Sequence, residues 1–126
     1  MKLVGRIDLE RYRRFFPEID TDEVIITEER IEHIEERHPG DYGRFSRYIP
    51  GILNGYHLML EDRQPNTALL LKQIVAEDGA MMLLVLHLHT SQDDPSYRNS
   101  VLSLWEISES RWKNYERNKR ILDKKE

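Results

Sequence analysis

TALLLKQIVAEDGAMMLLVLHLH, residues 67–89, is the stretch that decides the architecture. Two apolar runs, 67–76 and 80–89, flank Asp78-Gly79. An Asp-Gly pair between such runs is the strongest short-range signal for a β-hairpin, because both turn residues must adopt left-handed backbone angles. Working outward, residues 57–61 read as a strand that precedes the hairpin across Pro65-Asn66, and residues 100–108 as one that follows it across the turn-rich segment 91–95. The spacing therefore predicts four consecutive antiparallel strands.

Upstream the texture is helical. Leu9, Tyr12, Phe15 and Phe16 recur at helical spacing until Pro17, and residues 4–7 and 24–26 are short extended segments. Thr27 is placed to cap a helix running to about Arg37, with Glu28 and Glu29 at the positive end of its dipole; Pro39 then forces His38 out of helical geometry. Phe45, Tyr48, Ile49, Ile52 and Leu53 mark the buried face of a second helix over 42–54, which Pro50 should kink or split and Gly55 should end. Ser108 caps a terminal helix through Lys119 that carries Trp112 and Tyr115. The expected fold is α+β: N-terminal helices packed on a four-stranded antiparallel sheet, with a C-terminal helix. Ile31, Ile34, Phe45, Ile49, Ile52, Leu69, Leu71, Leu84, Leu86, Leu102 and Leu104 are expected to form most of one core between helices and sheet.

A chain of 126 residues without repeats or linkers reads as one domain, 1–126. It contains no cysteine, which excludes disulfides, thiol nucleophiles and thiolate metal sites and fits a reducing, cytoplasmic setting. The apolar stretch at 80–86 is far short of the ~20 residues of a membrane span, so no membrane partner is expected. Net charge is −4, but it is unevenly spread. Residues 18–36 are acidic apart from Arg30, whereas residues 111–125 carry Arg111, Lys113, Arg117, Lys119, Arg120, Lys124 and Lys125. A basic terminal helix can follow a phosphate backbone despite a negative total.

The densest chemical cluster is His33-Ile34-Glu35-Glu36-Arg37-His38. It supplies two imidazoles for proton transfer and a guanidinium as an anion clamp, and the bland alternative is a polar helix end. Lys72 stands inside an aliphatic strand, on the face of Leu70 and Ile74, where a lysine must line a cleft, be paired or sit at an edge. Ser103 is a small polar residue in an aliphatic strand and shares a face with Val101, Trp105 and Ile107. His87 and His89 at i, i+2 are the weak beginnings of a metal site with no evident third ligand, and no metal or cofactor is expected.

The order of these features, with Asn99-Ser100 opening the last strand, resembles the phage-associated barnase–EndoU–colicin–RelE-like nuclease domains over about residues 24–122. The resemblance implies metal-independent cleavage of RNA on an open sheet face. His33, Arg37, His38, Lys72 and Ser103 would be the catalytic set, and Asn99, Trp105 and Tyr115 would contact substrate. It also implies RNA as partner and allows for a protein inhibitor or antitoxin. The family's chain commonly carries an aromatic after Ile-Leu, where Asp123 stands here. Two further readings compete: a catalytically silent RNA- or protein-binding module on the same fold, and a metal enzyme built on His87 and His89. The discriminating geometry is convergence of the helix-end imidazoles, Lys72 and Ser103 in one cleft.

Overall fold

The computed structural model describes residues 1–125. Its elements are β1 (Lys2–Arg6), α1 (Leu9–Tyr12), β2 (Glu23–Ile26), α2 (Glu28–Arg37), α3 (Asp41–Phe45), α4 (Ile49–Gly55), β3 (Leu58–Glu61), β4 (Thr67–Ile74), β5 (Ala80–His87), β6 (Asn99–Ile107), α5 (Glu109–Asn118) and β7 (Ile121–Lys124). Among them no helix is long and apolar enough to cross a membrane.

The fold class is α+β, but the expected four-stranded antiparallel sheet is corrected to a seven-stranded mixed one, ordered β1-β2-β6-β5-β4-β3-β7. The expected meander β3–β6 is its centre. Two additions extend it. β2 joins β6 in parallel, bringing β1 with it, and β7 returns antiparallel to β3.

Local chemistry explains the element ends. Thr27 accepts the Arg30 N–H and Ser108 accepts the Arg111 N–H, each capping its helix. The 42–54 region is divided into α3, a 3₁₀ turn at Ser46–Tyr48 and α4. Pro50 lies in the first turn of α4, where its missing N–H costs nothing. Asn66 (φ 53°), Asp78 (φ 54°) and Gly79 (φ 75°) take the left-handed conformations their turns demand. Gly5 is needed for close packing: a Cβ there would stand 3.0 Å from a Leu53 methyl on α4.

There are two cores, not one. Ile34, Phe45, Ile49, Ile52, Leu84, Leu86 and Leu104 lie between the sheet and α1–α4, with Ile31 packed against them. Leu69 and Leu71 belong instead to a second cluster on the opposite face, with Leu58, Leu60, Leu83 and Ile107, covered by Trp112 and Tyr115 of α5. A bulge in β6 adds a further correction. Val85 pairs with Ser103 and Leu86 with Val101, so Leu102 is the extra residue, half-buried. The bulge turns Val101 into the helix-side core while Ser103 and Trp105 face the other way.

β7 is anchored by side chains. Arg11 and the Tyr56 hydroxyl both donate to the Asp123 carboxylate, Arg11 Nε at 2.8 Å, and Arg11 Nε also donates to the Tyr56 oxygen at 3.1 Å. Burial raises the Asp123 carboxyl, but the Tyr56 and Arg11 bonds outweigh it and hold the group below the usual aspartate range. Burial, then the bond to Asp123, pushes the Tyr56 phenol far above its ordinary value.

Candidate functional site

β2 and β6 pair at only two positions, Val24↔Asn99 and Ile25↔Ser100. Asn99 fixes this junction: its fully buried amide accepts the His89 N–H at 2.8 Å and donates to the carbonyls of Thr21 (2.7 Å) and Glu23 (2.9 Å). Every hydrogen-bonding group this side chain uses here is directed inward, so it builds the scaffold. Beyond Ser100, β2 ends and α2 continues beside β6. The Glu106 N–H on that edge is satisfied by Asp41 at 3.0 Å. At the far end His38, which caps α2, stacks flat on Trp105, with ring centroids 4.8 Å apart and planes 2° from parallel. At the near end Arg30 lines a crevice with His87, Asp93, Tyr97, Ser100 and Leu102. The helix thus flanks, from the crevice to Trp105, the part of the second-core face where Ser100, Ser103 and Trp105 are only half-buried, the open part of that face.

The crevice measures about 360 Å³. In it the His87 Nε2 faces both Asp93 oxygens at 3.3 Å. Nδ1 of His87 has no protein partner among the described residues. The Thr90 N–H first, and then the His87 contact, hold the Asp93 carboxyl below its ordinary range against the opposing effect of burial. An ionised carboxylate there fixes the histidine tautomer with hydrogen on Nε2 and leaves Nδ1 as the basic nitrogen. Arg98 also lines the crevice; its Nε donates to Glu23 at 3.1 Å. Arg30 makes no ion pair among the described residues.

His87 and His89 do not form a shared ligand pair. β5 ends at His87, and the His89 ring, 5% exposed, is engaged by Asp20 and the Asp94 carbonyl. No group of three or more His, Asp or Glu side chains is arranged to hold a metal ion among the described residues.

The residues expected to share one cleft are divided. His38, Ser103 and Trp105 come to the open face, with Ser103 half-buried opposite Val85. His33 is half-buried and Arg37 exposed on α2, where Arg30, His33 and Arg37 follow one helical ridge at i, i+3, i+7. Tyr115 packs against the second core with the Lys119 ammonium 5.7 Å above its ring. Lys72 lies elsewhere. Its register neighbours Met82 and Glu106 and its own spacing from Leu70 and Ile74 put it on the helix-covered face, opposite Ser103 and Trp105. Its ammonium stands 3.4 Å from where a Cβ on Gly55 would be, at the C-terminus of α4. Lys125 donates to the Asn54 carbonyl at the same helix end. Two lysines at the negative end of a helix dipole give Lys72 a structural reason to be where it is.

The pair that reasoning from sequence missed is His87 with Asp93. The signal was present: Thr90 and Asp93 bond reciprocally, Thr90 N–H to the Asp93 carboxylate at 2.9 Å and Asp93 N–H to the Thr90 carbonyl at 3.0 Å, a local turn that folds the acid back onto the strand end. No family model, curated protein or solved structure matches the chain.

Proposed function

We propose that the protein is a metal-independent endoribonuclease whose active crevice lies on the open sheet face at His87. The observation that carries this reading is the His87–Asp93 pair in a crevice flanked by Arg30 and Arg98, on the face that also bears Ser103 and the His38–Trp105 stack. His87 Nδ1 takes the proton of a ribose 2′-OH, whose oxygen attacks the adjacent phosphorus. The P–O5′ bond breaks, the 5′-oxygen leaves with a proton from solvent, and a 2′,3′-cyclic phosphate remains. Arg30 and Arg98 face the charge that builds on the non-bridging oxygens. The ridge Arg30, His33 and Arg37 guides the strand, and Tyr97, an exposed aromatic at the rim, offers a base-stacking surface. RNA is accordingly the proposed partner and the cytoplasm the proposed setting; an inhibitor protein would act by covering this face.

The position of Lys72 on the other face favours a second reading, an RNA-binding surface without cleavage. Incubating RNA with the protein in EDTA separates the two. The first reading expects 2′,3′-cyclic phosphate ends, lost by about 10²–10⁴-fold in His87→Gln with folding intact. Retained binding without product supports the second, and absence of binding contradicts both.

A further inference from the structure

Four of the crevice residues, Asp93, Asp94, Tyr97 and Arg98, ride on the loop 90–98, and His89 is built to hold that loop. Its Nδ1 lies 2.7 Å from an Asp20 carboxylate oxygen and its Nε2 lies 2.8 Å from the Asp94 carbonyl. A neutral imidazole has one N–H and can serve only one of these acceptors. The backbone pins the residue as well: its N–H donates to Asn99 at 2.8 Å and its carbonyl accepts the Asp20 N–H at 3.2 Å. These bonds fix where the residue stands, and the buried ring is held between its two acceptors.

We propose that His89 is a positioning residue, a buried imidazolium that straps the loop 90–98 to Asp20 and so sets the Asp93 carboxylate against His87. The part of this that concerns activity rests on the reading above; the proton state and the strap do not.

The surroundings favour the charged ring. Asp20 faces it from the segment before β2, and Asp93 and Asp94 face it from the loop. Glu23 of β2 and Glu29 of α2 line the adjoining crevices, as do Arg98, Arg30 and His87, with Arg98 paired to Glu23. Burial opposes protonation, but the Asp94 carbonyl, then Asp20, then Asp93 overcome it and raise the group above the ordinary histidine value. The strap is fully formed below about pH 6.5, where a histidine in the unfolded chain is charged, and is lost as pH rises through the elevated folded value.

Imidazole ¹⁵N spectra of the free protein across pH test this without RNA. Both His89 nitrogens should carry protons at pH 6.5, with a midpoint above the ordinary value. Asp20→Asn should lower that midpoint by about one pH unit or more. The protection of the Thr90 and Asp93 amides, taken relative to the intrinsic exchange rate at each pH, should fall through the same midpoint. A singly protonated ring in the wild-type protein at pH 6, or a midpoint that Asp20→Asn leaves in place, overturns the proposal. A doubly protonated ring in a protein that does not cleave RNA would sink the nuclease reading and leave the strap standing.

Discussion

Two polar clusters in this small protein use the same kinds of residue to opposite ends. Arg11, Tyr56 and Asp123 join α1, the end of α4 and β7 in a mutual network, where the carboxylate is engaged by both partners. His87, His89, Asp93 and Asp20 join β5 to its following loop, yet leave His87 Nδ1 unclaimed beside a crevice. The first cluster is closed and holds the sheet edge. The second is satisfied on its loop side and keeps one ring nitrogen without a protein partner among the described residues, as a site must if a reacting group is to enter. Shifted titration alone does not tell them apart, since Asp123 and Asp93 are both depressed. What separates brace from site is whether a hydrogen-bonding position is left over.

That distinction can be broken by mutation. Tyr56→Phe should cost about 1.5–3 kcal/mol in chemical denaturation, because it removes a buried hydrogen bond to a charged group, and RNA cleavage should be unchanged below the unfolding transition. The brace also has an acid limit. Asp123 is depressed in the folded state, so its contribution is complete above the unfolded aspartate value and disappears as pH falls through the folded one. Tyr56→Phe should flatten that part of the acid stability profile. Lys72→Met should have the smallest effect, within about 0.5 kcal/mol in stability and with no loss of cleavage, because the lysine faces α4 and not the crevice. A hundredfold loss of cleavage in Lys72→Met at normal stability would return Lys72 to the catalytic set and undo the division between the two faces.

The parts of this fold that were legible in sequence are those set by local chemistry. Thr27 and Ser108 announce their helices, Asp78-Gly79 announces the hairpin, and Pro50 announces the break before α4. The missing parts depend on partners distant in the chain. Residues 121–124 contain only two apolar side chains, and they become β7 because β3 offers a free edge and Tyr56 with Arg11 holds Asp123. Nothing local to residues 23–26 states that they pair in parallel with β6. The site shows the same split. His38 is adjacent to its helix stop and is placed by it, and Ser103 shares a face with Trp105 by alternation, whereas the face of Val101 depends on a one-residue bulge at Leu102 that alternation alone does not reveal. Alternation in β4 places Lys72 with Leu70 and Ile74, but only the pairing of β4, β5 and β6 relates that face to the one bearing Ser103 and Trp105.

The central claim is that RNA meets this protein on the open face at His87 and not in the cleft at Lys72. Titrating ¹⁵N-labelled protein with a short single-stranded RNA in EDTA, using a 2′-deoxy substitution at the cleavage position to prevent reaction, tests it most directly. The account predicts amide shifts concentrated at His87, Tyr97, Ser100, Ser103 and Trp105, with the Trp105 indole following them. Shifts concentrated at Gly55, His57 and Lys72, or no shifts at saturating RNA, would contradict it.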